Sequence, residues 1–126
     1  MQEDKPTAKD VDRFVQQEID TVPQLEALLL IWKARPKCWR LDELAAALYI
    51  SAEAAKDVVE PLERRGLLTS QEGQYTYCAG SNDELIAVVD LTYRRELIRI
   101  TRMIHSKAPA AVREFARAFL FKKDRD

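Results

Sequence analysis

Three carboxylates, Glu53, Asp57 and Glu60, follow one another at four- and three-residue spacing, with Lys56 among them, just after Ser51. On a helix this spacing gathers them on one outward face. Such a face suits a protein partner. It meets a polyanion badly, because each unscreened like-charge contact within a few ångströms costs about 1 kcal/mol. Phosphate binding needs cations, and those near the stretch are Arg40, Lys56, Arg64 and Arg65.

The other chemistry-bearing residues are dispersed. His105 is the one histidine, and no pair of carboxylates is flanked by the histidine or glycine turns that would build an acid–base site, so no catalytic residue is expected. The two cysteines, Cys38 and Cys78, are 40 positions apart and form no C-x-x-C, so neither a metal site nor a cofactor is expected. The three glycines, Gly66, Gly73 and Gly80, fall at a helix end, a tight turn and a strand exit. None is left for a phosphate-cradling loop.

Composition narrows the class further. With 126 residues, 47% hydrophobic and 33% charged, the chain reads as one globular domain of ordinary balance. The longest apolar stretch, 27–32, is far below the ~20 residues that span a bilayer. The first six residues lack the basic start and apolar run of a signal peptide. A cytoplasmic chain without membrane association is the expectation. The net charge of −1 hides an asymmetry: residues 1–63 hold 8 Lys and Arg against 13 Asp and Glu, and residues 64–126 hold 12 against 8. The acidic stretch lies in the acidic half, which counts against strong nonspecific binding of nucleic acid.

Apolar periodicity supplies the elements that position these residues. Val11, Phe14, Val15 and Ile19 predict a helix over 7–20. Thr21 and Gln24 form a capping signature, with Pro23 where a missing N–H costs little, and open a helix over 22–35. Leu25, Leu28, Leu29 and Trp32, with Ala27, Leu30 and Ile31 beside them, make its apolar surface wide enough for burial on more than one side. Residues 38–40 read as a short extended piece that would bring Cys38 near Cys78. Helices follow over 41–48 and, capped by Ser51, to Gly66. Leu67–Ser70 and Gln74–Cys78 are hairpin arms around Glu72-Gly73. Ser81 and Glu84 read as a capping box for one long helix over 83–105, with Ile86, Val89, Tyr93, Ile100 and Met103 near heptad spacing. A last helix over 109–122 would bury Val112, Phe115, Ala116 and Phe119. The predicted organisation is a loose tail over 1–6, an N-terminal helix plus core over 7–80, and a helical extension over 81–126.

Helix, turn, helix, hairpin is the order of a winged helix-turn-helix. Residues 39–78 resemble the winged-helix superfamily of bacterial regulators, including the MarR-like groups. The resemblance rests on Leu41-Asp42-Glu43-Leu44-Ala45, Leu48-Tyr49-Ile50-Ser51 and Leu62-Glu63-Arg64-Arg65-Gly66-Leu67. It implies a mainly α fold with a small β-hairpin wing, extended by an N-terminal helix and two C-terminal helices. It also makes the helix after Ser51 the one that would read DNA.

Four departures follow. The outward positions Ala52, Glu53, Ala54, Lys56, Asp57, Glu60 and Pro61 include one cation. Pro61 removes a helical hydrogen bond and predicts a kink or tightening over 57–61. Tyr49 fills a turn position where glycine is usual, and the wing tip, 70–74, carries no lysine or arginine.

The reading drawn from the residues is a non-enzymatic regulatory module acting mainly through protein contacts. Glu53, Lys56, Asp57 and Glu60 would meet a protein partner. Ile86, Val89, Tyr93, Ile100 and Met103 would face a partner or a second copy. The alternative is a DNA-binding transcriptional regulator that dimerises through the 83–105 helix and contacts phosphates with Arg40, Lys56, Arg64 and Arg65.

Overall fold

The computed structural model describes residues 5–78 and 83–107. The expected last helix over 109–122, the Ser81 cap, Gly80 and most of the N-terminal tail lie outside the described residues.

The elements are α1 (Ala8–Glu18), α2 (Val22–Lys33), β1 (Trp39–Arg40), α3 (Leu41–Leu48), α4 (Ala52–Arg64), β2 (Leu68–Gln71), β3 (Gln74–Tyr77), α5 (Asp83–Arg95) and α6 (Leu97–His105). The sheet is antiparallel in the order β1-β3-β2. This is the mainly helical winged helix-turn-helix with a small β wing that the residue pattern predicts.

Local chemistry starts each helix. Thr7 Oγ1 accepts from the Asp10 N–H, and the Asp10 carboxylate accepts from the Thr7 N–H at 2.9 Å, a reciprocal box that satisfies two otherwise orphaned donors. Thr21 Oγ1 accepts from the Gln24 N–H as expected. The Gln24 side chain reaches one residue further back than a standard box and accepts from the Asp20 N–H at 2.8 Å. Ser51 Oγ accepts from the Ala54 N–H at 3.0 Å.

α4 ends at Gly66, whose φ of +79° supplies the left-handed turn. The helix continues through Pro61 to Arg64. Pro61 has no N–H to offer Asp57, and that lost bond sits on the exposed side, where water can replace it. In the wing, Glu72 and Gly73 both have positive φ, the conformation of a two-residue type I′ hairpin loop.

α2 lies at the centre and packs against α3, α4, α5, α6 and β3, which explains its wide apolar surface. Leu25, Leu28 and Ile31 on it are fully buried. α1 packs mainly on α5 and α6, with Arg65 at the end of α4 reaching its last residue. The first helix therefore belongs with the helical extension, although in sequence it adjoins the winged-helix elements. One continuous core, with Val15, Leu28, Leu44, Leu62, Ile86 and Ile100 among its members, joins both layers.

The predicted single helix over 83–105 is broken. Glu96 leaves helical geometry at φ −126°, ψ 49°, and separates α5 from α6. Arg99 holds the break from outside, pairing with Glu96 and, at 3.1 Å, with Asp12 of α1. The bend keeps both halves on α1 and α2, where a straight rod of the full length would run past them.

Candidate nucleic-acid interface

The face expected to read a partner is formed by α4, the turn before it and the wing. Ala52, Glu53, Lys56 and Asp57 are exposed, whereas Ala55, Val58, Val59 and Leu62 anchor the opposite side of the helix in the core. The amphipathic pattern thus holds α4 rigidly and presents its outer side to solvent. Lys56 approaches Glu60 at 3.9 Å across one helical turn. Both side chains are largely exposed, so a phosphate can draw Lys56 away at little cost.

Tyr49 ends α3 in the left-handed conformation, φ 60° and ψ 42°, and its side chain is 93% exposed. A non-glycine residue there is strained by roughly 1–2 kcal/mol. The strain puts an aromatic ring beside the start of α4, where it stands almost fully exposed among the described residues. Gln71 and Gln74 face each other at the end of the wing. They offer hydrogen-bonding amides and no charge.

The expected phosphate contacts divide sharply. Arg40 is engaged by Asp42 through two hydrogen bonds of 3.2 and 3.0 Å. That hydrogen bond to the guanidinium, aided by its charge, holds the Asp42 carboxyl below the usual carboxylate range. Arg65 points away from the exposed face: its guanidinium donates to the Glu18 carbonyl and, at 3.0 Å, to the Asp20 carboxylate. Its assignment as a phosphate contact is therefore corrected, because the end of α4 turns it inward against α1. Arg64 has no ion-pair or hydrogen-bond partner among the described residues and is exposed. Lys56 and Arg64 are the two available cations of the four.

Arg35 and Lys37, just before β1, are also occupied. Arg35 stacks on Trp32 at 4.6 Å and on Tyr77 at 5.8 Å, and Lys37 lies 4.8 Å from the Trp39 ring.

The expected partner-facing stripe lies inside the fold. Ile86, Val89, Tyr93 and Ile100 are buried in the chain's own core, and Met103 packs against it. Their heptad-like spacing reflects contact with α1 and α2. The side chains left outside on these helices are different ones: Leu91, Leu97 and Ile98, with Ile98 64% exposed. Their type is visible in sequence, but their orientation depends on the break at Glu96.

Sequence reasoning missed a charged cavity of about 260 Å³ between α2, α3 and α5. Leu29, Leu30, Ala47 and Leu48 supply apolar walls, and Glu26, Lys33, Asp90, Tyr93 and Arg94 supply the polar groups. Asp90, 5% exposed, sits between Lys33 at 3.4 Å and Arg94 at 3.1 Å. The Tyr93 hydroxyl donates to Glu26 at 3.0 Å. Burial, with this hydrogen bond to a carboxylate, pushes the Tyr93 hydroxyl up to about 12. A raised hydroxyl holds its proton longer in the folded chain, so its contribution is complete below pH 10 and is lost between pH 10 and 12. That loss amounts to at most about 3 kcal/mol at the rate of 1.36 kcal/mol per pH unit. Tyr93→Phe is expected to flatten the fall in denaturation free energy over this window. The flattening is partial, because burial pushes the Tyr77 hydroxyl up as well.

Cys38 and Cys78 are both exposed thiols. The register, Trp39 opposite Tyr75, sets Cys38 opposite Thr76, so Cys78 lies two positions along the strand from it. Among the described residues no group of three or more His, Cys, Asp or Glu could hold a metal ion, and no helix is long and apolar enough to cross a membrane.

No protein-family model and no curated protein matches the chain. Solved structures do. A crystal structure of MepR, a transcription regulator of the Staphylococcus aureus multidrug efflux pump MepA, superposes with a TM-score of 0.54 at 16% identity, covering 91% of this chain and 85% of that one. A MarR family protein from Bacillus stearothermophilus superposes with a TM-score of 0.50 at 19% identity, covering 94% and 85%. The chain has the MarR-like winged-helix fold.

Proposed function

We propose that this chain, built on a MarR-like winged-helix fold, is a DNA-binding transcriptional regulator that works as a pair of copies. The observation that carries the reading is the exposed outer side of α4, rigidly backed by core residues, in a fold shared over nine-tenths of the chain with a transcription regulator. Protein contacts as the main activity lose one of their two expected surfaces, because the Ile86–Met103 stripe is internal, and the other, the outer side of α4, is the one that the shared fold favours for DNA. Glu53 and Asp57 remain unfavourable to phosphate and set the affinity of one copy low. Pairing two reading helices one DNA turn apart offsets that weakness. Leu91, Leu97 and Ile98 form the apolar surface through which two copies meet.

Binding to duplex DNA is expected to weaken steeply with salt. Arg64→Ala is expected to reduce the slope of log affinity against log salt by about 1, the share of one phosphate contact. An unchanged slope would remove Arg64 from the interface, and a wild type that binds no genomic fragment at low salt would end the proposal. Ile98→Asp is expected to shift the sedimentation coefficient to that of a monomer while leaving the far-ultraviolet circular dichroism intact.

A further inference from the structure

α1 has no basic residue in its last turn, although the carbonyls there carry the negative end of the helix dipole. Two cations from distant parts of the chain fill the gap. Arg65, the C-cap of α4, donates to the Glu18 carbonyl and pairs with Asp20 at 3.0 Å, with about a quarter of its side chain exposed. Lys107, two residues beyond α6, donates from Nζ to the Val15 carbonyl at 3.0 Å, to the Gln16 carbonyl at 2.8 Å and to the Ile19 carbonyl. One helix end is thus held by the end of the reading helix and by the residues just after α6.

We propose that this two-cation junction fixes the angle between α4 and α6, with Arg65 and Lys107 as positioning residues that set the spacing at which two copies read a duplex. The inference rests on the DNA-reading proposal above. Physically, α4 and α6 both pack on apolar neighbours that tolerate small rotations, while directional charge-assisted hydrogen bonds to fixed carbonyls do not. A guanidinium that grips a carbonyl and a carboxylate at once defines an orientation that a single point charge would not. The junction lies away from the outer side of α4, so losing it leaves the reading side chains in place.

The test uses the full chain and a duplex selected by the wild type from a random-sequence pool, remade with its centre lengthened or shortened by one and two base pairs. The wild type is expected to lose on the order of 10-fold in affinity with changed spacing. Arg65→Ala and Lys107→Ala are expected to flatten that preference while keeping wild-type affinity for a single half-site, and Arg65→Lys to restore it in part. A variant with the wild-type spacing profile, or with affinity lowered equally for every duplex, overturns the proposal.

A second readout does not depend on DNA. In a Cys38→Ser, Cys78→Ser background, spin labels at Lys56→Cys and Arg102→Cys, diluted with unlabelled protein, report the distance between α4 and α6. Arg65→Ala is expected to broaden that distance distribution. An unbroadened distribution overturns the junction. A wild type without duplex affinity, but with broadening in the variant, overturns the DNA reading and leaves the junction standing.

Discussion

Ile86→Asp is expected to abolish folding, read as loss of helical circular dichroism and of a cooperative denaturation transition. Ile86 has no exposed surface and lies in the core that joins α5 to the rest of the chain. The substitution removes a buried aliphatic side chain, worth about 2–5 kcal/mol on truncation, and adds a carboxylate with no buried partner, which costs several kcal/mol more. A domain of this size has about 5–15 kcal/mol to lose. Ile86→Val removes a single methyl group and is expected to cost about 1 kcal/mol, measurable by urea denaturation with the fold retained. A folded Ile86→Asp protein altered only in its solution mass would return this residue to the partner-facing role that its spacing first suggests.

Glu53→Lys combined with Asp57→Lys is expected to tighten duplex binding by roughly 30-fold or more at low salt, since two like-charge contacts of about 1 kcal/mol each are removed and two attractive ones gained. The dependence on salt should steepen by up to about 2 units of slope. Both residues are exposed on a helix whose inner side carries the packing, so stability should change by less than about 0.5 kcal/mol. Binding titrations across a salt series check both statements. Unaltered affinity would mean that a different surface of the chain meets the duplex. The gain should also be sequence-independent, because added lysines bind phosphate and read no base edge. The natural carboxylates then have an interpretable effect: they suppress indiscriminate binding, so that only a duplex offering two well-placed half-sites is held.

Much of the fold is legible in the residues because its signals are local. Ser51 with Ala54, Thr21 with Gln24, and Gly66 after Arg65 act within one turn of helix, and the structure bears each out. Tyr75 and Tyr77 alternate with Thr76 because a strand has period two, and Tyr77 is accordingly buried while Cys78 is exposed. The break at Glu96 was not legible. Nothing around it is a glycine or proline, and the apolar spacing runs on through it; the interruption comes from packing both halves onto α1 and α2.

The candidate interface shows the same division. That α4 would present Glu53, Lys56 and Asp57 outward follows from the positions of Ala55, Val58, Val59 and Leu62, since one helical period assigns both sides at once. Which cations remain available does not follow. Arg64 and Arg65 are adjacent and chemically identical, yet one faces water and the other grips α1, because successive helical positions point about 100° apart and the end of α1, with Glu18 and Asp20, lies on the Arg65 side.

The residues alone determined the succession of helices and hairpin, the caps that begin them, and the side of α4 that faces outward, all of which depend on neighbours within a few positions. Only the tertiary structure decided that the Ile86–Met103 stripe is internal, that α1 joins α5 and α6, and that Lys107 and Arg65 meet at one helix end. Those outcomes depend on pairs more than 40 positions apart, and a periodic pattern records that a side must be covered without recording what covers it.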